Sequence, residues 1–170
     1  MPPALSLGRT SSHKPGNFSW VVKGKLAGSA RPENEDQLRW LKDAGIKAIV
    51  CLNKERPLED KQVTGLGFEY CFIPVKDFAA PKTEDIMEFV NFVNTMINQR
   101  MPVLVCCGAG IGRTGTMLAA YLVSQCKSPE EALKRIEEQR GIGVESFAQR
   151  EVVFEYARLI GKCRKGDNES

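Results

Sequence analysis

Apolar and polar positions change period several times along the chain, and each change marks an element. "NFSWVV" and "GKLAGSA" read as short strands near the start. "ENEDQLRWLKDAG" reads as a helix stopped by Gly45, a residue type suited to the position after a helix. "IKAIVCL" is a short apolar run of the buried-strand kind, and "GFEYCFIPV" is another strand. In "TEDIMEFVNFVNTMINQR" the residues Ile86, Phe89, Val90, Val93 and Ile97 fall on one helical stripe. Glu84 and Asp85 occupy its first turn, where the helix dipole favours acids. "PVLVC" is a further buried strand, followed by a glycine loop. "TGTMLAAYLVSQC" is apolar nearly all round, which predicts a buried helix. "SPEEALKRIEEQR" opens with a capping box, Ser128 to Glu131, and has Pro129 at the first helical position. "SFAQREVVFEYARLIGKC" reads as a last helix.

Strands alternating with helices predict an α/β fold with a central, mostly parallel, twisted sheet of about four or five strands flanked by helices. The expected boundaries are an N-terminal tail over 1–16, one domain over 17–163 and a C-terminal tail over 164–170. Sites in such folds lie beyond the carboxyl ends of strands, and the loop after "PVLVC" sits there.

Composition narrows the classes. A hydrophobic fraction of 42% supports a real core, and a net charge of +3 is too weak for a dedicated nucleic-acid binder. No run of about 18 apolar residues predicts a membrane span. "MPPALSLGRTSSHKPGN" lacks the apolar region of a secretory signal, and Pro2 and Pro3 spoil the amphipathic helix of a mitochondrial one. The six cysteines form no C-x-x-C pair, so neither a disulfide framework nor zinc is indicated. Reduced thiols in the cytoplasm are expected, with the nucleus as a second location. The one histidine, His13, lies in the tail, which leaves no core histidine to act as base or metal ligand. No cofactor and no metal are expected.

The loop itself, "VLVCCGAGIGRTGTM", admits three readings. Gly110, Gly112 and Gly115 match the dinucleotide pattern G-x-G-x-x-G, but two helices follow with no strand-end acid. The Walker A pattern fails because Cys107 stands at its first glycine and Arg113 at its lysine. The third reading is Cys-x5-Arg-Thr, from Cys107 to Thr114. Its small residues, Gly108, Ala109, Gly110, Ile111 and Gly112, let successive N–H groups turn inward as an anion nest. The helix that follows presents its positive end to the same point, and Arg113 offers a planar fork for a phosphate. The field that holds a phosphate there also favours a thiolate at the floor of the nest. A tight strand-to-helix turn with a buried cysteine would explain the glycines but has no use for Arg113.

Attack of a thiolate on phosphorus needs an acid for the leaving oxygen. With no histidine available, the candidate is Asp77 in "IPVKDFAAPKT", a loop able to fold over the site. A solvated loop aspartate fits the same residue. Two adjacent cysteines also raise a thiol redox protein, which leaves Arg113 and Asp77 without a task.

The Cys107–Thr114 run resembles the signature of cysteine-based protein tyrosine phosphatases, H-C-x5-R-[ST]. Over residues 16–162 the chain is similar to the small atypical dual-specificity phosphatases. "NFSWV", "G-x-LAG", Asp77–Phe78, "GRTGTMLA-x-YLV" and "VESFAQ" carry the likeness. It implies that Cys107 attacks phosphorus, Arg113 binds the phosphoryl oxygens and Thr114 hydrogen-bonds the departing thiolate. Asp77 serves first as acid and then as base on a water. Glu145 would orient Arg113, and Gln149 would lie near the water, although Ser146 and Gln149 also read as a capping box. The substrate implied is a phosphorylated protein or peptide, met by a monomer through a shallow pocket open to phosphotyrosine, phosphoserine and phosphothreonine. Uncharged Gly108–Gly112 speak against phosphoinositides. Lys54 and Arg56 read as solvated surface charge.

One position departs from the pattern: the histidine before the nucleophile is Cys106 here. That raises a runner-up, a pseudophosphatase that binds phosphorylated partners with little turnover. It also raises joint oxidation of Cys106 and Cys107.

Overall fold

The computed structural model describes residues 13–166. Its sheet is built around β5 (Val103–Cys107), with β2 (Leu26–Ala30) on one side and β3 (Ala48–Asn53) on the other, both parallel to it. β4 (Glu69–Val75) extends the sheet parallel to β3, and β1 (Ser19–Val22) closes the other edge antiparallel to β2. The order is therefore β1-β2-β5-β3-β4, a mixed, mostly parallel sheet of five strands. Every residue of β3 and β5 is buried, as strands covered on both faces require.

The two faces carry separate cores. On one, α1 (Glu35–Asp43) and the short α2 (Asp60–Gly65) pack Leu38, Leu41 and Val63 against Ile49, Cys51, Leu104 and Cys106. On the other, α3 (Thr83–Asn98), α4 (Gly112–Ser124), α5 (Pro129–Arg140) and α6 (Phe147–Gly166) pack against Val50, Leu52, Val103, Val105 and Cys107. Alternation along β5 sends Leu104 and Cys106 to the first core and Val105 and Cys107 to the second. α4 is buried from Gly112 to Val123, as its all-round apolarity predicts. Fully buried Phe89 anchors α3, and truncating it to alanine would cost ~3–5 kcal/mol.

Most elements fall where the hydrophobic pattern puts them. The capping box at Ser128 and Glu131 forms, and α5 ends on Gly141 with φ 68°. α2 is the element the pattern misses, since only Val63 of its six residues is buried. Residues 1–12 and 167–170 of the expected tails lie outside the described residues. Within the rest of the first tail, the carbonyl of Gly16 accepts from Ala30 N–H at 2.7 Å and Lys14 Nζ stands 5.6 Å from the Phe18 ring. Among the described residues no helix is long and apolar enough to cross a membrane.

Candidate active site

The glycine loop joins the carboxyl end of β5 to the first turn of α4. Cys107 is the last residue of β5 and is 3% exposed. Thr114 Oγ1 donates a hydrogen bond to its Sγ at 3.0 Å. Ile111 precedes α4 and no side chain caps that helix, so its positive end is presented without a side-chain competitor. Gly110 has φ 73°, and a Cβ there would lie 2.3 Å from the Ala30 nitrogen. Only glycine lets the loop press this closely on β2.

The loop is tied from outside by backbone bonds. Arg31 N–H donates to the carbonyl of Cys107 at 2.7 Å and leans toward that of Gly108 at 3.3 Å. A trans peptide holds its C=O and the next N–H on opposite sides, so the Gly108 N–H faces away from Arg31. The Arg31 guanidinium continues to the carbonyls of Arg56 at 2.7 Å and Pro57 at 3.0 Å. One residue thus staples the glycine loop to the loop after β3.

That second loop supplies Glu55. Its carboxylate accepts from both terminal nitrogens of Arg113, at 2.9 Å from Nη1 and 2.8 Å from Nη2. Arg113 Nη1 also donates to the Val75 carbonyl at 2.9 Å. The guanidinium is 3% exposed, and this bidentate grip fixes its plane. Hydrogen bonding to Arg113 holds the Glu55 carboxyl below its ordinary range. Burial works against the Arg113 charge, but Glu55 and the field of Cys107 outweigh it and hold the guanidinium above its ordinary value.

Asp77, on the loop after β4, places Oδ1 3.2 Å from Arg113 Nη2. The same oxygen accepts from Phe78 N–H at 3.0 Å, and Phe78 has φ 59°, an uncommon conformation for a bulky residue. A cavity of about 690 Å³ opens here, lined by Lys54, Glu55, Lys76, Asp77 and Phe78.

Cys107, Gly108–Gly112, Arg113, Thr114 and Asp77 therefore meet at one end of the sheet. Gln149 is fully buried at its edge. Its N–H donates to Ser146 Oγ at 3.2 Å and its Oε1 accepts from Ser146 N–H at 3.2 Å, the capping box expected at the start of α6. Its Nε2 donates to Ala79 O at 3.3 Å, which ties α6 to the Asp77 loop. Glu145 and Gln149 both lie near Gly112, where a Cβ would meet their side-chain ends at 2.8 Å. The orienting contact expected of Glu145 is made instead by Glu55, because Arg113 reaches back toward β3 and not toward α6. Glu55 stands between Lys54 and Arg56, the two charges that read as solvated surface, and was not singled out. The usable signal was its place just beyond β3, the strand beside β5.

Cys106 is placed apart from this chemistry. It is fully buried in the α1 and α2 core, registered with Cys51 across the sheet. Joint oxidation with Cys107 is disfavoured, since the two thiols project to opposite faces of β5. Among the described residues no group of three or more His, Cys, Asp or Glu is placed to hold a metal ion.

The model of the DSP-PTPase phosphatase domain of Swiss Army Knife proteins, PTP-SAK, matches residues 15–152. The chain belongs to this family. This phosphatase domain is 29% identical over 121 residues to the human dual specificity protein phosphatase CDC14A, covering 64% of this chain and 20% of that protein. It is 26% identical over 123 residues to the tyrosine-protein phosphatase cdc-14 of Caenorhabditis elegans, covering 65% of this chain and 17% of the relative. The chain thus spans about a fifth of the length of these relatives. Among solved structures it resembles Tk-PTP in its active form, with a TM-score of 0.78 and 29% identity, covering 84% of this chain and 97% of that one. PTPMT1 in complex with PI(5)P shares the fold at a TM-score of 0.79 and 24% identity, covering 86% of this chain and 98% of that one.

Proposed function

We propose that the protein hydrolyses phosphotyrosine, and also phosphoserine and phosphothreonine, in proteins or peptides through a cysteinyl-phosphate intermediate. Within the family we place it among the small atypical dual-specificity phosphatases, beside dual-specificity phosphatase 23, on the segments "NFSWV", "GRTGTMLA" and "VESFAQ". The observation that carries the reaction is the meeting at one end of the sheet of the Cys107 thiol, the uncapped start of α4 and the Arg113 guanidinium held in place by Glu55.

The phosphoryl group enters the loop and takes the Arg113 Nη2 hydrogen now shared with Asp77. Cys107 Sγ attacks phosphorus, the P–O bond to the leaving group breaks, and Asp77 gives its proton to that oxygen. Thr114 donates to the sulfur and steadies it as the later leaving group. Asp77, now a carboxylate, takes a proton from water as that water attacks phosphorus, and the S–P bond breaks to free phosphate and thiolate. Gln149 borders the space that water would use. The protein acts as a monomer in the cytoplasm and nucleus, without nucleic acid, membrane or metal.

The test is hydrolysis of a small aryl phosphate in EDTA by the wild type beside Cys107→Ser. Turnover that vanishes in the variant supports the reading. No wild-type turnover, with phosphate-analogue binding intact, would sink it in favour of the pseudophosphatase that Cys106 suggests.

A further inference from the structure

α5 ends on a guanidinium that the reaction above does not use. Arg140 Nε donates to Ser19 Oγ at 2.9 Å and Nη2 donates to the carbonyl of Asn17 at 2.9 Å. Its Nη1 is buried and is the one buried side-chain polar atom without a hydrogen-bond partner among the described residues. A buried N–H without a partner on a half-buried guanidinium is costly, which directs attention to what the rest of the side chain holds.

The surroundings show where. A Cβ built on Gly28 of β2 would lie 3.4 Å from Arg140 Cζ and 2.8 Å from Thr114 Cγ2. The guanidinium therefore sits behind the very threonine that donates to Cys107. Burial lowers the Arg140 pKa and the field of Cys107 opposes that effect, which places the cation within electrostatic reach of the sulfur. Asn17, whose carbonyl Arg140 holds, has φ 53°, a conformation asparagine tolerates better than most residues. From there Asn17 Nδ2 donates to the carbonyl of Ala109 at 2.8 Å. Because the peptide is planar and trans, pulling the Ala109 carbonyl toward Asn17 turns the Gly110 N–H the other way.

We propose that Arg140 is a positioning residue for the phosphate loop and acts through Asn17, which latches the Ala109–Gly110 peptide with its N–H facing the bound phosphoryl group. The chain runs from the end of α5, through the segment before β1, to the middle of the loop. It adds to the Arg31 staple, whose N–H holds the Cys107 carbonyl, so two segments from outside the signature each hold a carbonyl of the loop region. Hydrogen bonds from outside the loop thus set which way the backbone of the nest points, and the nest is then formed before any phosphate arrives.

This inference rests on the phosphate-cradle reading, and the experiment separates the two. The wild type is assayed with a small aryl phosphate and with orthovanadate as competing oxyanion. Absence of vanadate inhibition in the wild type would overturn the cradle and the latch together. The variants are Asn17→Asp, an exposed side chain that loses the Nδ2 donor, and Arg140→Lys, which keeps the charge but cannot bridge Ser19 and Asn17 with a planar fork. Each is expected to lower kcat/KM roughly tenfold to a hundredfold and to raise the vanadate Ki in parallel, with melting temperature little changed. The double variant should lose no more than the worse single one, because both act on one chain of bonds. If Arg140→Lys fails to fold, Asn17→Asp still decides. The proposal falls if kcat/KM and vanadate Ki stay within about twofold of wild type, or if turnover drops with vanadate affinity unchanged.

Discussion

Cys106 and Cys107 are neighbours in the chain and occupy opposite chemical worlds. Both are almost fully buried, so exposure does not separate them. Cys106 packs in one core with Leu104, Ile49 and Ala27 and is registered beside Cys51 of β3. Cys107 faces the start of α4, the Thr114 hydroxyl and the Arg113 guanidinium. The period of two along β5 is the whole cause: one residue of offset chooses the core or the nest. A thiol becomes a candidate nucleophile through the strand end and loop it is aimed at, and not through its residue type.

The largest test of that contrast is Cys107→Ser against Cys106→Ala. The first should cut kcat by at least about 10³-fold, since it removes the attacking group. The second should stay within about tenfold, because its face touches no reacting atom. Equal losses would erase the distinction. Asp77→Asn comes next, with kcat down about 10²-fold or more on substrates with poor leaving groups and little change on activated aryl phosphates. Insensitivity to leaving group would remove Asp77 from the acid role. Glu55→Gln should follow, with kcat/KM down by about tenfold to a hundredfold and vanadate Ki raised, as the Arg113 fork loses its bidentate anchor. An unchanged vanadate Ki would show that Arg113 holds its plane without Glu55.

The parts of this contrast that the sequence disclosed are those with a local cause. β5 is a run of apolar residues, α4 is apolar all round and the Cys-x5-Arg spacing spans one short loop between them. Asp77 was reachable because it follows a strand and sits among prolines. Glu55 was not, because its partner lies 58 residues away and its neighbours are charged. The Asn17–Arg140 bond spans 123 residues, and nothing periodic in either segment announces it. The short α2 buries one residue, too little to leave a stripe. Which face Cys106 takes was available from strand alternation, yet the side of the sheet given to each helix was not.

The smallest effect probes the quiet face alone. The neighbouring Cys51 sulfur, burial and the field of Cys107 push the Cys106 thiol well above its ordinary value of 9.0. The folded protein therefore keeps this proton where the unfolded chain releases it. The sign follows: the contribution to stability is complete below about pH 9 and is lost as pH rises toward the folded value. Cys71, which burial pushes up to about 11, adds a slope of the same sign. Urea unfolding at pH 9 and pH 10 should show the wild type losing stability over that interval. Cys106→Ala should be less stable than wild type at pH 7 by about 1 kcal/mol, from the small cavity, yet lose less stability between the two alkaline points. Identical alkaline slopes would mean that Cys106 is not the protonated, sealed thiol described here, and the contrast with Cys107 would then rest on geometry alone.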